Sequence, residues 1–119
     1  MATHNKIGSK GENIAKSFLE EHGYTILHTN WRYKKDEIDI IARQEKFIVI
    51  VEVKTRSSNL FATPESAVDN AKQQRLIRAA NAFIDKHQIE NEIRFDVISI
   101  ILNNPPKIHH IKDAFSILG

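Results

Sequence analysis

The chain has 119 residues, 41% hydrophobic and 27% charged, which suits one globular domain spanning 1–119 with a core of its own. Seventeen Lys and Arg against fifteen Asp and Glu leave a net charge of +2, too little to assign a nucleic-acid partner from charge alone. The absence of cysteine excludes disulfides and thiolate chemistry and fits a cytoplasmic protein. No apolar run follows the first residues, so no signal peptide is expected, and the longest such run, Phe47 to Val51, is too short to span a bilayer.

Ile7, Gly11, Ile14, Ala15, Phe18 and Leu19 recur at helical spacing and predict an amphipathic helix from about His4 to Glu21, closed by Gly23. Glu12 falls on the border of its apolar stripe, where spacing alone makes it an ordinary boundary carboxylate. Gly8 and Gly11 lie beside it. Each costs roughly 1 kcal/mol against alanine inside a helix, so close approach to a sheet or ligand must favour them. Tyr24 to Tyr33 reads as a strand, with Leu27, Thr29 and Trp31 on one face and Tyr24, Ile26, His28 and Asn30 on the other. Trp31 reads as sheet packing. Lys34, Lys35 and Asp36 make the next turn.

Asp36 to Arg43 and Phe47 to Arg56 are β-branched runs around a short polar break, which is a hairpin signature. On the second run, Ile48, Ile50, Glu52 and Lys54 share one face, and Phe47, Val49, Val51 and Val53 share the other. Apolar residues on both faces predict a central, doubly covered strand. On the first run Glu37, Asp39 and Ile41 share a face. A turn at Gln44-Glu45, or over Arg43 to Lys46, gives opposed residues summing to 89. Glu37 then lies opposite Glu52, and Asp39 one diagonal step away. Three carboxylates and a lysine would meet on one patch of sheet. An E-x-K on an edge strand is usually a solvated pair, but on a covered central strand like charges repel and a divalent cation would relieve them.

Thr63, Pro64 and Glu65 form a strong helix start, and the helix is expected to reach about Lys86. Its stripe is Val68, Ala71, Leu76, Ala79, Ala80 and Phe83. Lys72 lies within that stripe and Arg75 at its edge. The Lys72 ammonium either snorkels to water or aims at the carboxylates or a substrate phosphate. Ile93 to Ile101 is a further strand, with Phe95 and Val97 on one face and Arg94, Asp96 and Ile98 on the other; Asp96 has no evident role. Asn103 to Pro106 is a turn, Lys107 to Lys112 a short edge strand, and Ala114 to Leu118 a tail. His109 and His110 are adjacent, so on a strand they point apart and chelate poorly. There is no P-loop, Rossmann fingerprint, H-E-x-x-H or nucleophile elbow. The expected fold is an α/β domain with a mixed central sheet and an antiparallel hairpin flanked by two main helices. Its order is α-β-β-β-α-β plus a short C-terminal edge strand.

Asp39, with Glu52-Val53-Lys54 thirteen residues on, resembles the PD-(D/E)xK nuclease motif. With Glu12 on the first helix, the layout is similar to the restriction endonuclease-like Holliday-junction resolvases. The whole chain resembles the YraN-type family of predicted endonucleases. The matching pieces include Gly8-x-x-Gly11-Glu12, Asn30-Trp31-Arg32, Glu37-Ile38-Asp39-Ile40-Ile41-Ala42, Val51 to Arg56, Lys72, Arg75 and Arg94 to Val97. Asp36 and Ala62 stand where that family usually has glycine.

The resemblance implies an Mg²⁺- or Mn²⁺-dependent endodeoxyribonuclease, with branched or damaged DNA among its candidate substrates. Asp39, Glu52 and the Val53 carbonyl would ligate the metal, with Glu12 joining directly or through water and Glu37 standing behind them. Lys54 would position the attacking water, and Arg56, Lys72 and Arg75 would hold DNA phosphates. The alternative is a non-catalytic module that keeps the scaffold to bind nucleic acid or protein. Such a module gains nothing from carboxylates clustered near phosphates. The small footprint of one such domain leaves room for a homodimer, with no heptad or apolar patch in the sequence to specify it.

Overall fold

The computed structural model of the chain describes residues 2–57 and 68–116, with residues 2–7 as backbone only. Its elements are helix α1 (Ala2–Glu21), strands β1 (Thr25–Tyr33), β2 (Asp36–Gln44) and β3 (Phe47–Arg56), helix α2 (Asn70–His87), and strands β4 (Glu92–Ile101) and β5 (Lys107–Phe115). The five strands lie side by side in chain order. Neighbours are antiparallel except β3 and β4, which α2 joins as a parallel crossover. This is the α/β arrangement with a mixed sheet expected from the element order, and the restriction endonuclease-like fold that the resemblance implies.

The two helices cover opposite faces. Ile48 and Ile50 of β3 pack with Leu76, Ala79, Ala80 and Phe83 of α2, whereas Val49, Val51 and Val53 pack with Ala15 and Leu19 of α1. The alternation expected along β3 therefore holds, and the strand is central and covered on both sides. Each helix ends on a left-handed residue. Gly23 has φ +88°, and the Gly23 and Tyr24 N–H groups bond back to Glu20 and Leu19, as a Schellman closure requires. Gln88 closes α2 in the same way at φ 52°. Gly11 meets the sheet directly: a Cβ there would overlap the Thr55 side chain, so only glycine lets α1 come this close to β3.

Several expectations need correction. The β2–β3 turn is Glu45-Lys46, and opposed residues sum to 91, as in Ile41↔Ile50 and Gln44↔Phe47. The odd parity survives, but Glu37 does not face Glu52. It pairs with Arg32 on β1 instead. Strict alternation also fails at Asp39. Ile38 and Ile41 both pack on the α2 side, with Ile40 between them on the α1 side. The neighbouring β1 does the same: His28 and Trp31 both touch Phe83, while Asn30, at φ 53°, turns the other way to Glu12. A left-handed residue inside a strand rotates the residues after it, and the paired strand turns with them.

The helix that reaches His87 starts at Asn70, because Asp69 caps it by accepting the Lys72 N–H at 2.8 Å. Val68 and Asp69 precede it as non-helical residues, and the proposed start at Thr63 to Glu65 lies outside the described residues, as does Ala62. β5 runs on to Phe115, beyond the expected Lys112. Among the described residues, no helix is long and apolar enough to cross a membrane.

Candidate active site

β2 and β3 are paired only as far as Ile40↔Val51. Extending that register would place Ile38 opposite Val53. The kink at Asp39 prevents it, and the Val53 N–H donates to the Asp39 carboxylate (Oδ2, 2.8 Å) in place of a backbone carbonyl. The side chain thus completes the ladder where the strands part. Beyond that point the end of the sheet is open to both helices. A cleft of about 230 Å³ forms there, lined by Glu12 from α1, Asp39 from β2, Glu52, Lys54 and Thr55 from β3, and Lys72 from α2. A larger open groove of about 420 Å³, between α1 and Pro106, is lined by none of these six residues.

Glu52 is the most deeply placed acid of the cleft, with its side chain 7% exposed. Its Oε2 lies 3.1 Å from the Lys72 ammonium, whereas its Oε1 is buried with no hydrogen-bond partner among the described residues. An unpaired buried carboxylate oxygen is costly. Asp39 bears the consequence. Burial first, and then the charge of Glu52, push its carboxyl up to about 8, against a smaller downward pull from the Val53 N–H. With its carboxyl at about 8, Asp39 keeps its proton near neutral pH.

Glu12 is half-buried, and its Oε1 accepts from Asn30 Nδ2 at 2.9 Å. Burial raises its carboxyl, the Asn30 bond pulls it back, and the charges of Glu37 and Glu52 raise it further. The structure therefore gathers Glu12, Asp39, Glu52 and Lys54 at one cleft, from three separate elements. Lys54 is exposed and makes no ion pair among the described residues. Arg75 and Arg56 make none either. The Lys72 ammonium reaches Glu52, with its side chain still about a third exposed. Glu37 does not line the cleft; it lies 3.4 Å from Arg32 at a mostly exposed pair.

Sequence reasoning missed three supporting groups. Asn30 holds Glu12; its sequence signal is a poor β-former inside a strand. Asp36, in place of the family glycine, is 7% exposed and takes Arg78 at 2.9 and 3.3 Å, tying the start of β2 to α2. Asp96 anchors a network on the α1 side. It receives Arg94 at 2.8 and 2.9 Å, His110 Nε2 at 2.7 Å and the Asp113 N–H at 3.0 Å, while Arg94 also donates to Tyr24 and Gln44. Burial alone would raise the Asp96 carboxyl, but the bonds from His110, Arg94 and Asp113 together hold it below the usual range. The same pairing raises Arg94. This network is fully satisfied, unlike Glu52, and ties β4 to β5 and to Tyr24 at the end of α1.

The model of the uncharacterised protein family UPF0102 matches residues 11–100. A UPF0102 protein of Bacteroides thetaiotaomicron is 53% identical over 97% of this chain and 96% of its own length. One from Flavobacterium psychrophilum is 47% identical over 97% of this chain and 98% of its own. Another from Parabacteroides distasonis is 43% identical, again over 97% of this chain and 96% of its own length. The match spans α1 through β4 and takes in every residue of the cleft from Glu12 to Lys72. The chain belongs to the UPF0102 family, the YraN-type group of predicted endonucleases that its motifs resemble.

Proposed function

We propose that this protein is a divalent-cation-dependent phosphodiesterase acting on DNA. The observation that carries the reading is Glu52: a buried carboxylate whose Oε1 has no partner among the described residues, next to an Asp39 carboxyl pushed up to about 8. Such a pair is unfavourable on its own and suits a hard cation with oxygen ligands, Mg²⁺ or Mn²⁺. Asp39, Glu52 and the Val53 carbonyl would hold the ion. Among the described residues, no three Asp, Glu or His side chains are already gathered as a metal-binding group. Glu12, bonded to Asn30, would accordingly join directly or through water. The cation would supply Lewis-acid polarisation of the phosphoryl group.

The remaining roles belong to the chain's own side chains. The Lys54 ammonium, unpaired among the described residues and on the same strand face as Glu52, orients the attacking water and stabilises charge developing on the phosphate. Arg56 and Arg75, without ion-pair partners among the described residues, hold backbone phosphates. Location in the cytoplasm is the compartment this reading expects. The runner-up is a binding module without chemistry. Nothing in a binding role rewards an unsatisfied buried Glu52, so the cleavage reading is preferred.

The test is incubation of linear, nicked, flap and four-way DNAs with Mn²⁺, using wild type, Asp39→Ala and Lys54→Met in parallel. Cleavage by wild type alone supports the reading. Cleavage equal in all three, or none by wild type together with Mn²⁺ binding unaffected by Asp39→Ala, favours the binding module.

A further inference from the structure

Lys72 sits in the first turn of α2, where its own N–H is fixed by the Asp69 cap at 2.8 Å. From there its side chain reaches the sheet and places Nζ 3.1 Å from Glu52 Oε2. The pair is asymmetric. The Glu52 side chain is 7% exposed and the Lys72 side chain 36% exposed. A buried carboxylate needs a counterion, whereas a lysine with open access to water does not. Lys54, the other lysine of the cleft, forms no ion pair among the described residues, so this compensation falls to Lys72 alone.

An ammonium is a compact point charge on a flexible stem and is readily exchanged. A divalent cation would bring twice the charge and prefers carboxylate oxygens, so at Glu52 it would compete with the ammonium. A displaced ammonium would stand, partly solvated, in the same cleft without an anion, where a substrate phosphate could take it.

We propose that Lys72 is a built-in counterion that occupies Glu52 until a divalent cation displaces it, and that the released ammonium then takes a substrate phosphate. Cation and phosphate binding are thereby linked through one side chain, and linkage makes the effect reciprocal. The inference rests on the cation reading above.

The test measures Ca²⁺ affinity by calorimetry and the affinity for a fluorescein-labelled 20-base-pair DNA duplex by anisotropy, with and without Ca²⁺. Wild type, Lys72→Met and Glu52→Gln are compared. Without DNA, Lys72→Met should bind Ca²⁺ about tenfold more tightly, since the competing charge is gone. With DNA, the gain in affinity on adding Ca²⁺ should be about tenfold smaller in Lys72→Met than in wild type. Lys72→Gln serves the same comparison if the methionine variant does not fold. Equal Ca²⁺ affinity and equal Ca²⁺-induced gain in wild type and the Lys72 variants would overturn the counterion role and leave the cation reading standing. Wild-type Ca²⁺ binding no stronger than that of Glu52→Gln would overturn both.

Discussion

Asp39→Asn is the most informative single change. In the folded protein the Asp39 carboxyl titrates at about 8, raised first by burial and then by Glu52. In the unfolded chain it titrates near 3.9. Between these values the folded state keeps a proton that the unfolded chain has lost. Stability must therefore fall as pH rises from about 4 to about 8 and level off above that. At about 1.4 kcal/mol per pH unit over about four units, the ceiling is on the order of 5 kcal/mol. Water entering the open cleft and side-chain relaxation reduce this, so about 2–3 kcal/mol is expected between pH 5 and pH 8. That is a large share of the 5–15 kcal/mol typical of a whole domain.

Asparagine keeps the shape, can still accept the Val53 N–H, and offers its amide to Glu52 without titrating. Urea unfolding in chelator at pH 5, 6, 7 and 8 is the assay. Wild type should lose stability steadily relative to Asp39→Asn, and the variant should be the more stable protein at pH 8. Added Mg²⁺ should close that gap by stabilising wild type through mass action. Parallel curves for the two proteins from pH 5 to 8 would refute the claim that Asp39 is charged at a cost.

Glu52→Gln removes the charge that raises Asp39, so the pH slope should shrink; apo stability should stay within about 1 kcal/mol of wild type while calorimetric Mn²⁺ binding disappears. If the variant unfolds instead, Glu52 is a structural partner of Lys72. Gly11→Ala forces a methyl group into the Thr55 side chain and should cost about 1–3 kcal/mol, read as a lowered Tm; an unchanged Tm would mean α1 can shift off β3 freely. Arg94→Met strands the fully buried Asp96 carboxylate and should cost about 3–5 kcal/mol in urea unfolding; a loss below about 1 kcal/mol would show that His110 alone neutralises it.

The layers and the two faces of β3 follow from residue order alone. Its side chains alternate with a period of two, and both faces are apolar, so Val49, Val51 and Val53 had to oppose Ile48 and Ile50. Gly23 marked the end of α1, because a left-handed closing residue is cheapest as glycine. The odd parity of the hairpin was legible too, whereas the place of Asp39 beside Glu52 depends on a break in alternation that the sequence does not show. The features that residue order does not reveal lie where chain conformation departs from local preference. Asn30 at φ 53° and the matching kink at Asp39 have no glycine to announce them, yet they open the cleft. The contact of Lys72 with Glu52 joins residues twenty positions apart. The Asp96 network similarly needs His110 from a strand that pairs only once the sheet is complete. These features form because a buried polar group must find its partner wherever folding brings one within reach, and spacing along the chain does not record which partner that is.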